Sequence, residues 1–187
     1  MKNHQAVLLR LFKILEAYKP QKKELYEYLE EAYKAEYYPY DKILYEQGEV
    51  IKDIFFLASG TAVAYSYTDN GDKQLLHIYR ENEFIAGQSF THQTQSLYHL
   101  MVCADSFMLH MASTQLKILY EKFPVAEELA RFRLSATEAK ELRYKQMMIL
   151  PGIQLVEAFY NEYPELLAPG KVLRDRDVAS YLLLAEG

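Results

Sequence analysis

Apolar positions along the chain change their period twice. Over residues 5–18, Val7, Leu8, Leu11, Phe12, Ile14, Leu15 and Tyr18 recur at three- and four-residue steps, with Arg10, Lys13 and Glu16 off that face. The spacing predicts an amphipathic helix closed by Pro20. Leu25, Tyr28, Leu29 and Ala32 keep the same period and predict a second helix over 22–33. From about Ala35 the pattern shortens to apolar runs at Ile43–Tyr45, Ile54–Leu57, Ala62–Tyr67 and Gln74–Tyr79, punctuated by Gly48, Gly60, Gly71 and Gly87. Such punctuation predicts a small antiparallel β-barrel. Asn70-Gly71 between two runs predicts a tight primed hairpin turn, since both residue types tolerate positive φ. Residues 88–96 are polar and read as a surface loop or one helical turn. Residues 97–102 and 106–111 read as the last strands, and Ser113 as the cap of a short helix closed by Phe123-Pro124.

Helical spacing returns after Pro124, a residue suited to a first helical turn. Over 124–150, Val125, Leu129, Phe132, Ala136 and Ala139 alternate steps of four and three, a seam that packs against another helix. Beyond Ala139 the apolar load passes to Leu142, Met147, Met148 and Leu150. Pro151-Gly152 breaks this helix and predicts a domain boundary. Ile153, Leu155, Val156, Phe159 and Tyr160 predict one more helix, ended near Pro164.

The series Tyr45-Glu46-Gln47-Gly48-Glu49, Ile54-Phe55-Phe56-Leu57-Ala58-Ser59-Gly60, Asp69-Asn70-Gly71 and Phe84-Ile85-Ala86-Gly87 resembles the cyclic-nucleotide-binding β-roll of the Crp/Fnr transcription regulators. The resemblance runs from about residue 20 to the C-terminus. It implies an α+β fold: N-terminal helices and a double-stranded β-helix (jelly-roll) barrel in 1–123, a dimerisation helix over 124–150, and a partial helix-turn-helix in 151–187. By that resemblance Val125, Leu129, Phe132, Ala136 and Ala139 form the contact of a homodimer. Residues 171–182 look like the first helix of the family's helix-turn-helix, which makes Lys171, Arg174 and Arg176 the candidates for DNA phosphates, although Asp175, Asp177 and Glu186 balance them. The sequence stops at Gly187. The expectation is that no recognition helix remains to enter a major groove, and that DNA binding is weak and unselective.

In nucleotide-binding members of the family, a Gly-Glu pair holds the ribose and an arginine about ten residues later neutralises the cyclic phosphate. Gly87 matches the glycine, Gln88 or Ser89 stands at the glutamate, and Gln95 and Ser96 fall in the arginine's region. No lysine or arginine occurs between Glu81 and Leu116. Desolvating a phosphodiester without a cation costs several kcal/mol. The pocket of Gly87, Gln88, Ser89, Gln95 and Ser96 is therefore expected to be degenerate, unresponsive to cyclic AMP or cyclic GMP, and suited to a neutral or apolar small-molecule effector.

Composition narrows the alternatives. A formal charge of −5 argues against a wholly basic nucleic-acid binder, leaving DNA as a partner only through a local patch. The single cysteine, Cys103, excludes an internal disulfide and a cysteine-ligated iron-sulfur cluster. No apolar run approaches the roughly 18 residues that span a bilayer and no signal-like start appears, so the chain reads as cytoplasmic with no membrane partner. His77, His92, His99 and His110 include no His-x-His pair, so no metal ligand set or other cofactor is expected. No phosphate loop or nucleophile elbow appears, so no catalytic residue is assigned and the chain does not read as an enzyme. The leading reading is a Crp/Fnr-type regulator with an effector-sensing roll. The alternatives are a dimeric ligand-sensing or protein-interaction module without DNA binding, and a cupin-like metal enzyme.

Overall fold

A computed structural model describes residues 2–167 and 172–184. The fold is α+β. Helices α1 (Lys2–Tyr18) and α2 (Lys23–Ala32) precede eight strands: β1 (Lys34–Tyr38), β2 (Lys42–Tyr45), β3 (Asp53–Ser59), β4 (Ala62–Tyr67), β5 (Lys73–Tyr79), β6 (Glu83–Ile85), β7 (His99–Val102) and β8 (Ser106–Ala112). The short helix α3 (Gln88–His92) sits between β6 and β7. After the strands come α4 (Ser113–Lys122), the long α5 (Val125–Met148), α6 (Gly152–Glu162), a 3-10 turn (Pro164–Leu167) and α7 (Asp175–Tyr181).

The strands pair antiparallel into two four-stranded sheets, ordered β1-β8-β3-β6 and β2-β7-β4-β5. Alternation along β4 shows why they close on each other. Ala62 faces inward with Leu57, Leu100 and Met108, while Val63 and Tyr65 face outward under the C-terminal helices. The first sheet's outer face, with Phe56, Ala58, Leu109 and Met111, is covered by Leu8, Leu11 and Leu15 of α1 and by Leu25 and Leu29 of α2. Three apolar clusters result: one inside the roll and one on each outer face.

Two local expectations are corrected. The β4–β5 connection spans five residues, Thr68 to Asp72, and only Gly71 takes positive φ (86°), so Asn70-Gly71 is not a primed two-residue turn. The wider loop is closed by Thr68 itself, whose N–H donates to Asp72 O (2.9 Å) and whose hydroxyl accepts from Asp72 N (3.2 Å). Ser113 is the first residue of α4 and makes no cap bond; the capping position is Ala112. At Gly60, φ is 89° and Ser106 packs so close that a side chain there would collide with it.

The C-terminal segment packs directly on the second sheet. Leu155, Phe159, Tyr163, Leu166, Val178, Tyr181 and Leu182 share one cluster with Val63, Tyr65, Leu75 and Cys103. Strand β5 is an edge, and its free backbone groups are met by a side chain: Ser180 Oγ accepts from Leu75 N (2.7 Å) and donates to Lys73 O (3.0 Å). An unpaired edge invites association, and α7 covers this one. Lys73 also pairs with Asp177 at 3.2 Å.

Candidate functional site

A cavity of about 820 Å3 lies between the roll and α5. Its apolar wall comes from α1, α2 and α4, including Leu15, Leu29 and Leu119, and its opposite wall from β5, β6, α3 and α5. The polar end is organised by Lys140. Its ammonium donates to Ile78 O and to both Glu83 carboxylate oxygens, each at 2.8 Å, and approaches His77 Nε2 at 3.4 Å. Burial draws Lys140 below its usual range while Glu83 opposes that shift. Burial, reinforced by the Lys140 charge, lowers His77 to about 3, so its imidazole is neutral.

The other cations on this wall differ in how they are engaged. Arg80 bonds the Glu162 carbonyl, lies 3.6 Å from Glu165 and covers the Tyr163 ring at 4.7 Å. Arg143 lies 3.8 Å from Glu162. Arg133 lies over the Phe84 ring at 5.1 Å and donates through Nη1 to Tyr18 Oη at 3.2 Å, yet its Nε is buried with no partner among the described residues. Asn82, in left-handed backbone (φ 70°), lines the same cavity with a buried Oδ1 that also lacks a partner.

Of the five pocket residues expected from the sequence, only Gly87 lines this cavity. Its Cα is overlain by Tyr98, whose hydroxyl would collide with any Cβ at that position. Tyr98 faces Tyr79, and burial pushes both phenols up. The space beside Gly87 inside the roll is thus taken by an aromatic side chain. Ser89 and Ser96 are buried and hold loops: Ser89 Oγ accepts from Ile51 N (3.0 Å) and donates to Thr94 O (2.6 Å), and Ser96 Oγ donates to Tyr98 O (2.7 Å). Gln88 and Gln95 are exposed. The cations absent from the roll segment are brought by α5, where Arg133, Thr137 and Lys140 share one helical face. Their four- and three-residue spacing was readable, but nothing local tied it to Gly87.

The five seam residues divide. Leu129 is 5% exposed and packs with Val125 in the chain's own N-terminal cluster, whereas Phe132, Ala136 and Ala139 are exposed. A four–three rhythm is equally served by a neighbouring helix of the same chain. The large apolar residues left open are Phe132 (41%), Leu142 (58%) and, just past the end of α5, Ile149 (83%); Leu142 and Ile149 fall outside the four–three register of the seam. At the C-terminus, Arg174 and Arg176 are exposed at the start of α7, with Arg174 N donating to Asp177 Oδ2 at 3.2 Å; Lys171 lies outside the described residues. Cys103 is fully buried, and burial pushes its thiol up to about 12. Among the described residues no group of three or more His, Cys, Asp and Glu could hold a metal, and no helix is long and apolar enough to cross a membrane.

Residues 35–123, just under half of the chain, match the family model of the cyclic nucleotide-binding domain. Comparison with curated protein sequences gave no match. Among solved structures, the fold is similar to FixK2 of Bradyrhizobium japonicum (TM-score 0.61, 17% identity, covering 81% of this chain and 78% of that one). It is similar to the c-di-GMP responsive global regulator CLP of Xanthomonas campestris (0.61, 11%, 88% and 86%). It is also similar to the catabolite activator protein of Thermus thermophilus (0.51, 18%, 70% and 64%), of which the chain spans less than two thirds. At these identities the likeness is one of fold. The match to the family model coincides with the two-sheet roll described above, so the fold of residues 35–123 is of the cyclic nucleotide-binding type, and it is shared with the structures just named.

Proposed function

We propose that the protein is an effector-sensing regulator of the Crp/Fnr type, in which the cavity under α5 is the effector site. The observation that carries this reading is that one helix serves both purposes: α5 walls the cavity with Arg133 and Lys140 and presents Phe132 and Leu142 to solvent. A ligand that binds one seat of α5 better than another shifts the stripe that meets a second copy. The homodimer forms through this stripe, and its output passes to the C-terminal segment, whose exposed Arg174 and Arg176 are the DNA-facing candidates. Cyclic AMP is not the favoured effector, because Tyr98 stands against Gly87 and Gln88 and Gln95 are exposed, outside the cavity.

The test is sedimentation of Phe132→Glu. A charge placed in an apolar contact should give monomer where the unaltered chain is dimeric, and an unchanged dimer would remove α5 from the interface. Calorimetric titration with cyclic AMP and cyclic GMP is expected to show no micromolar binding; a micromolar dissociation constant for either would overturn the assignment of effector class. A second reading, a ligand-sensing or interaction module without DNA output, is favoured by the docking of α7 on β5 through Ser180 and Asp177. A gel-shift titration separates the two, since salt-resistant, sequence-selective binding belongs only to the first.

A further inference from the structure

The cations around the cavity are spent unequally. Lys140 is held by Glu83 and the Ile78 carbonyl, Arg80 by Glu162 and Glu165, and Arg143 lies near Glu162. Lys117, at the rim, is exposed. Arg133 is different. It is half-buried, has no carboxylate partner among the described residues, and uses one nitrogen on the Tyr18 hydroxyl and one face on Phe84. Its Nε is buried without an acceptor among the described residues, and Arg133 is one of the residues that line the cavity. Buried donors of this kind are nearly always satisfied in folded proteins, so an orphaned one beside a cavity points to an acceptor supplied from outside the chain, a water, an ion or a ligand. The edge formed by Nε and the second terminal nitrogen of an arginine matches the two oxygens of a carboxylate.

Resting on the reading that this cavity is the effector site, we propose that it takes an organic carboxylate with an apolar body, received side-on by Arg133. One uncommitted guanidinium neutralises one negative charge, which suits a carboxylate and leaves a doubly charged phosphate undercompensated. The body lies along Phe84 and the leucine wall of α1, α2 and α4, in a space within the roughly 300–1,000 Å3 range of small-molecule sites. A hydroxyl or amide on that body satisfies Asn82 Oδ1, the second buried polar atom left open here.

The experiment is calorimetric titration of the unaltered chain, R133Q and R133K with decanoate and with decanol, the same chain length without the charge. A hydrogen bond to a charged group accounts for about a tenfold to hundredfold difference in affinity. Decanoate is therefore expected to bind the unaltered chain at least about tenfold more tightly than decanol. R133Q should erase that difference, and a far-UV circular dichroism spectrum matching that of the unaltered chain shows that the variant is folded. R133K should restore only part, because a point charge does not reproduce the fork. Equal affinity for acid and alcohol, or a preference that survives R133Q, overturns the assignment of ligand class while leaving the cavity as a binding site. No binding of either probe overturns both.

Discussion

The two outer faces of the roll are covered by helices of opposite character. On the C-terminal face, Phe159, Tyr163 and Tyr181 pack ring on ring with centroids 4.9 to 6.3 Å apart. Polar groups there are paired as well: Ser180 meets both backbone groups of the β5 edge, Lys73 meets Asp177, and the Tyr144 hydroxyl donates to Tyr181 O (2.9 Å). On the N-terminal face, the helices leave about 820 Å3 open, and two of the residues lining that space, Asn82 and Arg133, each have a buried polar atom without a partner among the described residues. The same sheet architecture thus supports one side with only a small cavity of about 90 Å3 beside Met147 and Tyr163 and one side with a large one. A filled face fixes an element in place; an unfilled one leaves room for a ligand.

The sharpest way to break this comparison is truncation on the filled face. Tyr181→Ala removes a ring that is 3% exposed and touches three other aromatic rings. Loss of a large buried aromatic should lower stability by about 3–5 kcal/mol, read as a shift of the denaturant midpoint. A loss under about 1 kcal/mol would mean that this face yields as readily as the other.

Acid titration addresses the junction of the two faces, where His77 sits. Its folded value, lowered to about 3 from 6.5, means that between those two values the unfolded chain binds a proton that the folded chain refuses. Stability from this group is fully present above about pH 6.5 and is lost as pH falls toward 3. The slope is about 1.4 kcal/mol per pH unit within that window. His77→Asn should flatten this limb of the stability profile, and an unchanged limb would mean that the imidazole is not held neutral.

A smaller effect is expected at the β5 edge. Ser180→Ala leaves Leu75 N–H and Lys73 C=O without their side-chain partner and should cost about 1–3 kcal/mol. Proteolysis within the α6–α7 segment should become faster, whereas cleavage within α1 and α2 should not change. Equal acceleration at both ends would show that the faces are not independent.

Much of this arrangement was legible in the sequence because it rests on local spacing. The period change at Ala35, the glycines between strands and the break at Pro151-Gly152 each follow from backbone geometry, and six of the eight strands and the long helix appear where those signals place them; β1 and the short β6 were not individually marked. The cationic wall of the cavity was hidden because it is assembled across distance. The segment beside Gly87 carries no cation, and the expectation of a neutral or apolar pocket followed from that; the structure brings Arg133 and Lys140 over from α5. The assignment of Leu129 to a seam shows the same limit, since the rhythm of α5 does not reveal that α1 covers its first turns. Asn70 shows a third case, in which a turn dipeptide is overridden by a loop that Thr68 closes. Ser180 carried no signal as an edge cap, because a serine in a helix is ordinary until the strand beneath it is known.

The central claim is that the face under α5 responds to a ligand and the C-terminal face does not. Hydrogen exchange of the free and decanoate-saturated protein tests it most directly. The account predicts slower exchange from His77 to Thr91 and from Ala126 to Arg143, with no change from Gly152 to Leu182. Slowing in the C-terminal segment, or no slowing anywhere at saturation, would contradict it.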